Sequence, residues 1–150
     1  MEKNYNLVIG QGIGPAKFLM PVYEITGLFG KPDEKEESEE DGDKIITLYY
    51  DKMQTDFVFD ESDDGTFVLT SLLCTNPALV LDNRIKYGAT EEEFDKYGKS
   101  LKTAPPIVET DEETGEKFVC FEEFGLMGIF TDNLLTGIQL DYWEDEDMDE

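Results

Sequence analysis

Four blocks in the first half of this 150-residue chain recur, in the same order, in its second half. Leu7-Val8-Ile9-Gly10-Gln11-Gly12-Ile13 lines up with Leu79-Val80-Leu81-Asp82-Asn83-Arg84-Ile85. Met20-Pro21-Val22-Tyr23-Glu24 and Phe29-Gly30 line up with Gly88-Ala89-Thr90-Glu91-Glu92 and Tyr97-Gly98. Tyr50-Asp51 with Phe57-Val58-Phe59 matches Phe121-Glu122 with Gly128-Ile129-Phe130, and Leu69-Thr70-Ser71-Leu72 matches Leu135-Thr136-Gly137-Ile138. The offsets of 72, 68, 71 and 66 residues differ by no more than short loop insertions would explain. Ordered self-similarity of this kind is the signature of a duplicated structural unit. It predicts one repeat over residues 1–77, a second over 78–143 and an acidic tail over 144–150.

Each unit reads alike. An apolar segment (7–9, 79–81) leads to a short helix over residues 22–29 in the first unit and 91–97 in the second. Pro21 suits a helix start, Val22, Ile25 and Phe29 share one face, and Gly30 is the stop. In the second unit Thr90 and Glu93 form a capping box, Phe94 and Tyr97 face the core, and Gly98 ends the helix in the left-handed conformation. Two turns of helix are not stable alone and need a larger element beneath them. Strand-forming runs supply it: 45–50, an alternation of Met53, Thr55, Phe57 and Phe59, and 67–74, then 117–121, 126–130 and 135–143. In the last strand Ile138, Leu140 and Tyr142 face one way, and Gln139, Asp141 and Trp143 the other. The expectation is an α+β fold: two tandem repeats, each a short helical segment followed by an antiparallel β-meander.

On these blocks, Ile13 to Gly30 with Tyr50 to Leu72 and Ile85 to Gly98 with Phe121 to Leu140, the chain resembles the β-lactamase inhibitor protein type of fold. It is also similar to the small outer-membrane assembly lipoproteins of the SmpA/OmlA type. It has neither a lipobox cysteine nor a cysteine pair in each repeat. The resemblance implies a scaffold that binds other proteins, including enzymes it inhibits.

Charge and composition narrow the function. Twelve Lys and Arg against thirty-six Asp and Glu leave a net charge of −24, which argues against nucleic acid or anionic lipid as a partner. The chain has no histidine, which removes His-dependent triads, the usual zinc sites and imidazole switching. Ten Phe, seven Tyr and one Trp still supply a packed interior. Ser62, Ser71 and Ser100 have no activating base, and the carboxylates cluster in loops rather than standing singly in apolar pockets. No enzymatic activity, cofactor or metal is expected.

Two motifs are read as turns. Gly10-Gln11-Gly12-Ile13-Gly14 lacks the last glycine of a dinucleotide fingerprint, where Pro15 stands, and no βαβ unit follows. Asp60-Glu61-Ser62-Asp63-Asp64-Gly65 matches half of a calcium loop, but Ser71 occupies the position of the bidentate glutamate and strands flank the segment. Cys74 and Cys120 sit in apolar strands and are expected to be buried, reduced thiols. No apolar run is long enough for a signal region or a membrane span, which predicts a cytoplasmic protein with no membrane association.

The acids fall into three runs. Residues 33–43 hold eight acids in eleven positions, 109–116 five in eight, and 144–150 six in seven. The first is expected to be an acidic loop over residues 31–44. Such runs can simply be solvated loops. They can equally relieve their self-repulsion on a basic partner, steered to them by the field. Tyr49 with Tyr50, and Tyr142 with Trp143, are adjacent pairs on strands, so one of each points away from the core and can anchor Lys or Arg. The candidate partner-binding residues are Asp33, Glu34, Glu36, Glu37, Glu39, Glu40, Asp41, Tyr50, Asp141, Trp143, Glu144 and Asp145. Together they predict an acidic inhibitor of a basic protein partner, most concretely an immunity protein occluding a toxin such as a nuclease. A DNA mimic acting on a nucleic-acid-binding protein, or an assembly module like the outer-membrane lipoproteins, are the alternatives.

Overall fold

The computed structural model describes residues 5–101 and 105–142. Three short strands, β1 (Asn6–Val8), β2 (Gly12–Ile13) and β3 (Ala16–Lys17), precede helix α1 (Val22–Phe29). Four longer strands follow: β4 (Glu34–Glu40), β5 (Asp43–Tyr50), β6 (Thr55–Glu61) and β7 (Phe67–Cys74). The second half adds β8 (Val80–Leu81), β9 (Ile85–Lys86), helix α2 (Glu91–Ser100), β10 (Ile107–Thr110), β11 (Lys117–Phe121), β12 (Leu126–Thr131) and β13 (Leu134–Asp141).

The architecture corrects the expected fold class. The chain is mostly β, built from two sheets with two helices, and is not a pair of helix-plus-meander repeats. Both sheets take strands from both halves. The smaller runs β3-β2-β1-β8-β9, and β1 pairs in parallel with β8 through Asn6–Val80 and Leu7–Leu81. The larger runs β10-β11-β12-β13-β7-β6-β5-β4, and β13 pairs with β7 from Ile138–Cys74 to Asp141–Ser71. Neither half therefore closes a sheet alone.

The predicted acidic loop over residues 31–44 is largely a β-hairpin. Glu34–Glu40 pairs with β5 along its whole length, and Asp41-Gly42 makes the two-residue turn with positive φ at both residues (54° and 88°). That is the geometry whose twist matches the flanking strands, and Asp-Gly is among its preferred sequences. As the edge of the larger sheet, β4 carries charges that discourage pairing with other chains.

The core lies on one side of the larger sheet. Ile46, Leu48, Phe57, Phe59, Leu69, Leu72, Val119, Phe121, Leu126, Phe130, Ile138 and Leu140 are buried there. Leu7, Ile13, Leu79 and Leu81 from the smaller sheet join the same cluster. Each helix sends one phenylalanine into it. Phe29 of α1 stacks on Phe57 at 5.5 Å between ring centres, and Phe94 of α2 meets Phe121 and Phe130 at 5.6 and 5.4 Å. Fully burying such side chains stabilises by about 1.5–3 kcal/mol each.

Helix α1 begins and ends as the sequence indicates, with Gly30 at φ 85° donating its N–H to Thr26. The capping box of α2 is present, with Glu93 N–H on Thr90 Oγ1 and Thr90 N–H on Glu93 Oε1, each at 3.2 Å. The expectation for Gly98 is corrected. It lies inside α2, which continues to Ser100, and it is glycine because a Cβ there would lie 2.1 Å from the Phe121 ring. Gly10, Gly12 and Gly14 all have positive φ around the β1–β2 turn. Of the predicted turn, Asp60 and Glu61 belong to β6, and residues 62–66 form the β6–β7 turn, closed by Ser62 Oγ donating to Thr66 O and by Thr66 N–H on Asp64 Oδ1.

Candidate functional site: the open face of the larger sheet

With both helices and the smaller sheet on one side, the other side of the eight-stranded sheet is left uncovered among the described residues. Side chains alternate across a strand, so the pairing register states what this face carries. One row crosses all eight strands: Glu34, Tyr49, Asp56, Leu73, Gln139, Met127, Cys120 and Ile107. At about 4.8 Å per strand it is roughly 34 Å long. Beside it run Glu36, Thr47, Val58, Ser71 and Asp141 on one flank, and Glu109, Phe118, Ile129 and Gly137 on the other. Leu73, Met127, Ile129, Phe118 and Val58 are only half-buried. The face thus has an apolar middle, with Glu34, Glu36, Asp56, Asp60, Glu109 and Asp141 around it. None of the strand residues turned to this side is Lys or Arg.

The cations are elsewhere. The three ion pairs among the described residues, Lys35–Glu37, Lys96–Glu92 and Lys117–Glu91, lie on the helix side or on α2. The open-face acids are held instead by neutral donors. Tyr49 Oη donates to Glu36 Oε1 at 3.3 Å. Ser71 Oγ and Gln139 Nε2 donate to Asp141 Oδ1 at 2.7 and 3.3 Å, and Thr70 Oγ1 donates to Asp60. Their charge is therefore not neutralised by an ion pair among the described residues.

Partial burial acts on the titrating groups. It pushes the Tyr49 hydroxyl up, and the carboxylates of Glu36, Asp56 and Glu34 add to that. Burial and then the neighbouring Asp51 push the Asp56 carboxyl up. A raised folded-state pKa means that folding disfavours the ionised form. The contribution of Asp56 to stability is full below the ordinary value of 3.8 and is lost as pH rises through the raised one. Asp56→Asn is accordingly expected to raise the melting temperature near pH 7 by about 1–3 °C and to lose that advantage near pH 3. Thermal denaturation at the two pH values checks this.

The structure sorts the predicted site residues. Glu34, Glu36 and Asp141 come together on the open face. Glu37 and Glu39 point to the helix side, and the side chain of Glu40 is outside the described set. Asp33 precedes β4 and accepts the Asp51 N–H at 2.7 Å, and Asp41 sits in the hairpin turn. Tyr50 is corrected. It is 5% exposed, donates its hydroxyl to Gly30 O at 2.7 Å and packs on Phe29 and Phe57. Tyr49 takes the open-face position. Trp143, Glu144 and Asp145 lie outside the described residues, and Tyr142 packs on Phe18. Cys74 is buried, whereas Cys120 is half-exposed in the central row; both are free. The sequence reading missed Asp56, Asp60, Leu73 and Met127. The alternation of Thr55, Phe57 and Phe59 already implied that Asp56, Val58 and Asp60 face the opposite way.

Among the described residues no group of three or more Cys, Asp or Glu is placed to hold a metal ion, and no helix is long and apolar enough to cross a membrane. No family model matches the chain, and no curated protein matches it in sequence. Among solved structures it is similar to a DUF4309 family protein, YjgB, from Bacillus subtilis, with a TM-score of 0.54 and 14% identity over 88% of this chain and 87% of that one. It is also similar to an extracellular protein containing an SCP domain from Bacillus anthracis, with a TM-score of 0.46 and 9% identity over 82% of this chain and 43% of that one. At such identities the first likeness concerns the fold alone, and the second carries no argument.

Proposed function

We propose that this protein is an acidic binding module whose open sheet face occludes a basic protein, in the manner of an immunity protein against a toxin. The observation that carries the reading is that face: an apolar middle ringed by carboxylates, with no Lys or Arg on its strands and no covering element among the described residues. Apolar centres exclude water while charged rims steer and select the partner. A nuclease groove is positive because it must hold phosphate, so it is complementary to this surface. No bond is made or broken; inhibition is steric and electrostatic occlusion.

The test is capture of partners by the tagged full chain from lysate of the source organism, at about 0.15 M and about 0.5 M salt, read by mass spectrometry. One stoichiometric basic protein, weakened but retained at the higher salt, supports the reading. Scattered basic proteins, all lost at the higher salt, overturn it. Duplex DNA displacing the captured protein would make the mode DNA mimicry.

A further inference from the structure

The two edges of the larger sheet are treated differently. Edge β4 has six charged residues among its seven, the sequence Glu-Lys-Glu-Glu-Ser-Glu-Glu. Edge β10 is Ile107-Val108-Glu109-Thr110, exposed throughout, with Ile107 and Val108 each 47% exposed. Natural sheets blunt their edges with charge, so an apolar edge left open is available for pairing. The ladder says which groups it offers. Residues of an antiparallel strand turn their backbone alternately toward the neighbour and away. Asp111 N–H donates to Glu116 O at 2.8 Å, continuing the register of β10 with β11. Glu109 and Ile107 therefore also turn to β11, and Val108 and Thr110 present their N–H and C=O groups to the free edge.

We infer that β10 accepts an extended, basic segment of the partner as a ninth strand, bonded through the backbone of Val108 and Thr110. This rests on the proposed basic partner and specifies how it engages. Strand addition takes its affinity from main-chain hydrogen bonds and its selectivity from alternate side chains. Ile107 ends the row that crosses all eight strands, so an added strand would extend the open face itself. Glu109, Asp111, Glu112 and Glu113 lie in or beside β10 and favour Lys or Arg on the incoming segment. They also disfavour a second copy of this chain, which would bring the same acids and another −24 charges to the edge.

The probe is a synthetic eight-residue peptide of alternating Lys and Val, titrated into the full chain with amide exchange followed by NMR. Exchange at Val108 and Thr110 is expected to slow at least about tenfold, while Ile107 and Glu109, already bonded to β11, change little. A peptide of the same sequence with alternating L and D residues keeps the charge but not the strand, and is expected to leave both amides unchanged. Val108→Pro removes an outward N–H without touching the β11 ladder and should weaken the peptide roughly tenfold at unchanged melting temperature. Equal binding of the two peptides, or no slowing at Val108 and Thr110, overturns the inference. So does slowing without peptide at rising protein concentration, which would mean self-pairing. Glu36→Lys with Asp141→Lys removes open-face charge but leaves β10 intact, so slowed exchange in that variant separates failure of the edge from failure of the face.

Discussion

Phe94→Ala is expected to destabilise the protein by roughly 3–5 kcal/mol. Phe94 is fully buried and is the residue by which α2 grips the sheet, through edge and tilted contacts with Phe130 and Phe121. The sheet leaves room for it. A Cβ on Gly128 would lie 2.8 Å from the Phe94 ring, and one on Gly98 only 2.1 Å from the Phe121 ring. Removing the ring forfeits its transfer free energy and leaves a cavity walled by two further aromatics and a glycine, which cannot collapse to fill it. In a chain of this size about 2–4 °C of melting temperature goes with each kcal/mol, so the expected fall is roughly 6–20 °C by circular dichroism. The net charge of −24 already works against compactness, which leaves little reserve for such a loss.

The second large effect concerns binding. Glu36→Lys with Asp141→Lys changes the net charge by four units (two from each substitution) on the open face. It should weaken the partner by at least about 100-fold, because each change removes an attraction and installs a repulsion at a contact that excludes water. Glu37→Lys with Glu39→Lys makes the same four-unit change on the helix side. That pair is expected to slow association through the weaker overall field but to alter dissociation little. Surface plasmon resonance on the captured partner separates the two. Equal losses for both pairs would mean that total charge, not the face, governs binding.

Several elements were legible in the sequence because a local signal stood alone. The Thr90–Glu93 capping box fixed the start of α2, and alternating apolar residues, Phe57 with Phe59 and Ile138 with Leu140, fixed the inward faces of β6 and β13. The self-similar blocks pointed to two tandem repeats because no local signal shows that β7 pairs with β13 across the halves, and the strands that join the halves in the smaller sheet are two or three residues long. β1, β8 and β9 are too short to show any alternation. Glu34–Glu40 read as loop because its composition opposes strand formation; pairing with the well-formed β5 and the Asp41-Gly42 turn override that preference. Gly98 looked like a stop because the Phe121 ring that requires a glycine there is far away in sequence. The choice of Tyr50 over Tyr49 went wrong for a related reason. Neighbours on a strand are equivalent until the side carrying the helices is known, and Phe29 on α1 decides it. The acids of the candidate site were visible as charge, but their gathering around an apolar middle depends on the order of eight strands.

The most direct test of the open face is zero-length carboxyl-to-amine cross-linking of the complex with the captured partner, mapped by mass spectrometry. Links are expected from partner lysines to Glu34, Glu36, Asp56, Asp60, Glu109 and Asp141. Links concentrated instead on Glu24, Glu37, Glu39 and Glu92, the acids of the helix side, would contradict binding through the open face.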